Sequence, residues 1–247
     1  DLFLRRFQII FQTIMIKAKK ETNRPAPTLF YVYGGPGIQN VLDKYEVKWY
    51  HYLAMQGYNV VSVDNRGTSN RGKSFRDATY GKLGEIACTD IVATANYLGQ
   101  KAWIDTSCLA IMGWSFGGFL AATCLQQSNG LFKAAISVAP PTDWRLYDAA
   151  YTERYMGLLE DNEEKYNKTS LIVNADKTNG KLLLIHGTAD DNVHVQNTLM
   201  FADALVKADK KFEMKLFTDD NHQINSQNAG MQLYNQVIDF LNRVFDK

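Results

Sequence analysis

The feature that most constrains this chain is a set of short apolar runs placed between stretches of helical spacing. Residues 28–33 (TLFYVY), 59–63 (NVVSV), 109–112 (LAIM), 134–138 (AAISV) and 181–185 (KLLLI) each stop at a glycine, a proline or a polar turn. A short apolar run without alternation suits a strand covered on both faces, as strands of a parallel sheet are. Residues 49–56, 85–99, 117–127 and 193–208 carry helical spacing between them. Residues 11–17 read as a further strand, 212–217 as a strand of alternating character, and 227–245 as a closing amphipathic helix. The alternation predicts an α/β fold with a mostly parallel central sheet and helices on both faces. In such sheets ligands sit beyond the carboxyl ends of the strands.

Composition narrows the classes. The chain has 247 residues, 46% of them hydrophobic, which is enough to fill one sizeable core. Residues 13–247 are expected to form a single domain, with 1–12 as a segment of uncertain role. The formal charge is +1 and no block of like charge stands out, which argues against nucleic acid or an anionic membrane as partner. The small basic cluster at 17–20 reads as a solvated loop. Cys88, Cys108 and Cys124 are too few for a disulfide framework and read as small buried hydrophobes. No run is long enough to cross a bilayer. The opening residues lack an initiating Met and a small-residue cleavage site, so they do not read as a signal peptide, and a start at Asp1 reads as part of something longer. Asn167-Lys168-Thr169 is a glycosylation sequon, which matters only in a secreted protein.

The sharpest chemical signal is Gly113-Trp114-Ser115-Phe116-Gly117-Gly118, which matches G-x-S-x-G between a strand and a helix. That is the nucleophile elbow of the α/β-hydrolase fold. The turn is too tight for side chains at the glycine positions, and it lifts the Ser115 hydroxyl above the sheet edge. A serine hydroxyl needs a base to take its proton, and the chain order of this fold is serine, acid, histidine. Of four histidines, His51 precedes Ser115 and falls in an expected helix. His186 ends the KLLLI strand and reads as satisfied by backbone, and His194 lies too close to the acid. His222 sits between the last strand and the last helix, where the base belongs. The acid should follow the preceding strand, where spacing leaves Asp190 and Asp191 both open; the other would serve as a helix N-cap or first-turn carboxylate. For the oxyanion, the N–H of Phe116 supplies one donor. The loop after Tyr33, by a glycine N–H or the tyrosine hydroxyl, supplies the second.

From about residue 13 onward the chain resembles the catalytic domain of the prolyl oligopeptidase family, in its dipeptidyl peptidase IV branch. The matching stretches are YVYGGPG, VDNRGTSNRG, GWSFGG, DAAYTERYMG, IHGTADDNVH and the DDNH loop. The resemblance implies Asp190 as the triad acid and the Tyr33 hydroxyl as the second oxyanion donor. It implies Tyr147 and Tyr151 as aromatic walls of a proline-holding pocket, with Trp144 and Val193 beside them. It implies Asn192 as the amide that holds a substrate carbonyl, and Arg154 as a supporting residue. Without the resemblance, aromatic residues at this spacing would read as core packing. There are departures. Phe116 stands where the branch usually has tyrosine, which removes a pocket hydroxyl. Gln223 follows the histidine where glycine is usual, which puts the geometry of that loop in doubt. No stretch corresponds to the N-terminal β-propeller of the family, which captures the substrate's amino terminus.

The expected function is a serine peptidase working by acyl transfer, with dipeptidyl peptidase IV-like cleavage after proline or alanine near the amino terminus of peptides. No metal and no organic cofactor is implied; the partner is a peptide. The resemblance also implies a homodimer through the hydrolase domain and favours a secreted, periplasmic or cell-surface location. Two alternatives stand beside it: a small-acyl esterase using the same triad, and a non-catalytic hydrolase domain used for binding.

Overall fold

The computed structural model describes residues 4–6, 9–19, 24–44 and 46–246. Eight strands among them form one sheet: β1 (Leu4–Arg6), β2 (Ile9–Ile16), β3 (Ala26–Val32), β4 (Asn59–Asp64), β5 (Ile104–Trp114), β6 (Ala134–Val138), β7 (Lys181–Gly187) and β8 (Glu213–Phe217). Their order across the sheet is β1-β2-β4-β3-β5-β6-β7-β8. Every neighbouring pair from β4 to β8 is parallel, and β1 and β2 run antiparallel at one edge. The helices are α1 (Trp49–Met55), α2 (Lys73–Asp77), α3 (Glu85–Leu98), α4 (Phe116–Gln127), α5 (Ala149–Met156), α6 (Leu159–Thr169), α7 (Gln196–Lys207) and α8 (Ala229–Val244).

The apolar runs of the sequence are the inner strands, and their side chains alternate between two cores. Phe30, Ile111, Ala135 and Leu184 face a core with residues of α3, α4 and α7. Leu29, Met112, Ile136 and Leu183 face the other, which is closed by Leu53 of α1 and by Leu233, Val237, Phe240 and Leu241 of α8. Both faces are therefore covered, which is why these strands carry no polar alternation. These four α8 side chains are at most 1% exposed, and burial of each contributes roughly 1.5–3 kcal/mol.

Several boundaries differ from those expected. β2 crosses the junction drawn between Gln12 and Thr13 and pairs with both β1 and β4, so the described part of the segment at 1–12 belongs to the sheet. β5 begins at Ile104, because its first half is polar and partly exposed and so lacks an apolar signature. α7 begins at Gln196, since the preceding residues form a turn. Cys88 and Cys124 are buried, but Cys108 is only half-buried on β5. Lys17 rests its ammonium 5.1 Å above the Trp103 ring, while Lys20 lies outside the described residues.

The strand order reverses at the β3/β5 pair: from β3 the chain winds outward to β4, then returns across β3 to β5. A doubly wound sheet opens a crevice at such a point. The register places Val32 beside Gly113 there, so Tyr33 and Ser115 leave adjacent strands at the same edge. α4 packs close beneath: a Cβ on Gly117 would fall inside contact distance of the Val32 carbonyl oxygen, and one on Gly118 would meet the Val138 carbonyl oxygen at 2.6 Å. Gly117→Ala should therefore destabilise the chain by about 3 kcal/mol, read as a lowered midpoint of urea unfolding.

Candidate active site

Ser115 sits between β5 and α4 with φ 57° and ψ −121°, a left-handed conformation that non-glycine residues avoid. The strain is held from both sides. The Ser115 N–H donates to the Val138 carbonyl at 2.8 Å, and the Ser115 carbonyl accepts the first bond of α4 from Phe119 N–H at 3.0 Å. The turn points the α4 amino terminus, with the N–H of Phe116 unused by the helix, at the space beside the serine. This topology and this turn define an α/β-hydrolase fold.

The other groups arrive from the ends of β7 and β8. Asp190 is 2% exposed. Its Oδ1 accepts from the backbone N–H groups of Asn192 at 3.0 Å and Val193 at 2.9 Å. Its Oδ2 lies 2.7 Å from His222 Nδ1 and 3.1 Å from His186 Nε2. Burial pushes the Asp190 carboxyl up, but the hydrogen bonds from His186 and His222, the charge of His222 and the Val193 N–H outweigh it. The net effect holds the carboxyl well below the usual carboxylate range.

The loop bearing His222 is fastened at several points. Trp114 Nε1–H donates to the His222 carbonyl at 2.8 Å. Asp220 accepts from the N–H and the hydroxyl of Ser226 at 3.0 and 2.8 Å. The loop crosses Gly187 so closely that a Cβ there would collide with the carbonyls of Asp220 and Asn221. Gln223, where glycine was expected, is not among the residues with positive φ; that conformation falls on Ile224 at 45°. The substitution therefore costs no backbone strain at its own position.

Ser115 and His222 line one cavity of about 640 Å³ together with Tyr33, Tyr147 and Asn192. Tyr147 donates its hydroxyl to Asn192 Oδ1 at 2.9 Å. Behind this rim the rings form a cluster: Trp144 stacks on Tyr151 with centroids 5.9 Å apart, and Phe116 lies 5.6 Å from Trp144 and 6.2 Å from Tyr33. Trp144 and Val193 are at most 2% exposed, so they support the cavity from the core. Burial pushes the phenols of Tyr33, Tyr147 and Tyr151 up, which keeps them protonated donors at neutral pH. Tyr151, expected as a wall, packs behind Tyr147 and does not itself line the cavity. Arg154 does not line it either, being exposed on α5 with its guanidinium 5.7 Å over the Tyr155 ring.

Two expectations need correction. His186 is not satisfied by backbone alone; its ring contacts the Asp190 carboxylate, and its position at the strand end offered no signal for that. Asp191 is exposed and caps nothing, since the residue before α7 is Val195. Sequence reasoning also passed over Trp114, the variable residue of the elbow motif, and the far wall of the cavity, formed by Tyr31, Leu233 and Tyr234.

Residues 45–247 match the prolyl oligopeptidase family, and the chain belongs to that family. Over 224 residues it is 40% identical to a protein of Coccidioides posadasii named probable dipeptidyl-aminopeptidase B, and over 225 residues 43% identical to its namesake in Ajellomyces dermatitidis. Each alignment covers 89% of this chain and 24% of the relative. The crystal structure of Porphyromonas gingivalis dipeptidyl peptidase 4 superposes with a TM-score of 0.92 at 41% identity, covering 97% of this chain and 34% of that one. The chain thus spans about a quarter of the length of these relatives and a third of that structure.

The depressed Asp190 pKa has a thermodynamic consequence. A carboxyl whose pKa is lowered by folding contributes stability that is complete above its unfolded value, near 3.9, and is lost as pH falls below it. Asp190→Asn should therefore unfold at a lower temperature than the parent at pH 7, with the gap closing as pH is lowered through 4, measured by thermal melts across that range.

Proposed function

We propose that this chain is the catalytic part of a serine peptidase that releases dipeptides from the amino terminus of peptides, cleaving after proline or alanine. The observation that carries the reading is the 2.7 Å contact of His222 Nδ1 with a buried Asp190, in a cavity that His222 shares with Ser115 on its strained turn. Asp190 fixes the imidazole so that Nδ1 carries hydrogen and Nε2 is free to act as base.

In the proposed reaction His222 takes the Ser115 hydroxyl proton as Oγ attacks the scissile carbonyl. The Phe116 N–H and the Tyr33 hydroxyl hold the oxyanion. Asp190 stabilises the imidazolium, which then protonates the leaving amine. Water, activated by the same histidine, hydrolyses the acyl-enzyme. In this reading Tyr147, with Tyr151, Trp144 and Val193 packed behind it, supplies the aromatic surface that receives a pyrrolidine ring. Asn192 is held by Tyr147 where a carboxamide meets a substrate carbonyl. The names of the relatives support dipeptide release as the substrate class.

Hydrolysis of a Gly-Pro aryl amide, with and without an amino-terminal block, tests this reading. The parent should cleave the free-amine form, and Ser115→Ala should lose that turnover while keeping the parent's circular dichroism and melting temperature. Equal turnover by parent and Ser115→Ala would sink the assignment. Cleavage of the blocked form as well would retain a proline-directed peptidase but remove the dipeptidyl specificity.

A further inference from the structure

A carboxylate has about four acceptor positions, and in Asp190 all are taken. Two backbone N–H groups hold Oδ1, while Oδ2 is shared between His222 and His186. His186 is fully buried near the end of β7. Its Nε2 faces two acceptors, Asp190 Oδ2 at 3.1 Å and the Val193 carbonyl at 2.8 Å, so that nitrogen carries the hydrogen. Its Nδ1 lies 2.7 Å from Thr198 Oγ1, a buried hydroxyl on α7, and accepts from it. A neutral imidazole in one tautomer satisfies all of these contacts.

The ring therefore joins three elements: β7, the turn bearing Asn192 and Val193, and α7. Filling space in the core would need neither nitrogen. Resting on the peptidase reading above, we propose that His186 is a positioning residue for the triad, its N–H fixing the Asp190 carboxylate and sharing the oxygen that holds His222. Without that N–H, one position of Oδ2 is unfilled and the carboxylate is freer to turn about its Cβ–Cγ bond. More of its negative charge then falls on the His222 N–H, and the base is less well aimed at Ser115. The same N–H holds the Val193 carbonyl, so the acid and the pocket turn are set by one group.

The test compares His186→Phe, which fills the volume without an N–H, with His186→Gln, whose carboxamide N–H reaches the place of Nε2–H. The readouts are kcat and KM on the Gly-Pro aryl amide and the low-field proton resonance of His222 Nδ1–H. His186→Phe should lower kcat by roughly ten- to hundredfold, as the loss of a hydrogen-bonded outer partner does at other sites, and shift the resonance. His186→Gln should recover most of kcat and return the resonance toward the parent position. A phenylalanine variant with the parent's kcat and an unmoved resonance would overturn the proposal. If it fails to fold, His186→Asn, polar but too short to reach Asp190, takes its place under the same criteria. An inactive parent would overturn the peptidase reading instead, and the resonance would still decide the role of His186.

Discussion

The carbonyl of Val32 lies so close to Gly117 that no side-chain atom fits between them, and much of the molecule follows from that contact. It seats α4 directly against the end of β3, so the chain leaving β5 must turn within one residue. That residue is Ser115, and its left-handed backbone is the cost of the turn. The Val138 carbonyl fixes the serine N–H from β6, so the strands flanking β5 on both sides share in holding the nucleophile. Precision at the hydroxyl is thus a property of the sheet rather than of a loop.

A second constraint meets it from the other half of the sheet. Asp190 is buried and charged, a state that is stable only when every acceptor position is used. Two backbone N–H groups and two imidazoles meet that requirement, which is why the turn after β7 is tightly wound and why the β8 loop is drawn across Gly187. Of that turn, Asn192 also lines the cavity, and Val193 is buried behind it. Hydrogen bonding of the buried acid and the shape of the pocket are therefore one structural problem with one solution.

The inner strands were legible because burial on both faces leaves an unbroken apolar run, as in AAISV and KLLLI. The elbow was legible because its glycines are demanded by backbone contact and not by composition. The first half of β5 was not, since a strand half exposed to water loses that run, and α5 and α6 were not, since they bury few side chains each. Asp190 could be told from Asp191 only by resemblance; the backbone N–H groups and His186 that pick it out are brought together by the fold. His186 itself looks like any strand-end histidine in the sequence, because its partner Thr198 lies on another element. The doubt raised by Gln223 resolves at Ile224, where the positive φ sits one residue further on.

The most direct single measurement is mass spectrometry of the chain after reaction with a fluorophosphonate, which labels serines activated as nucleophiles. The expected result is one adduct, on Ser115, formed by the parent and not by His222→Gln at matched time and concentration. An adduct on another serine, or equal labelling of Ser115 in both proteins, would contradict a nucleophile activated by His222 and Asp190.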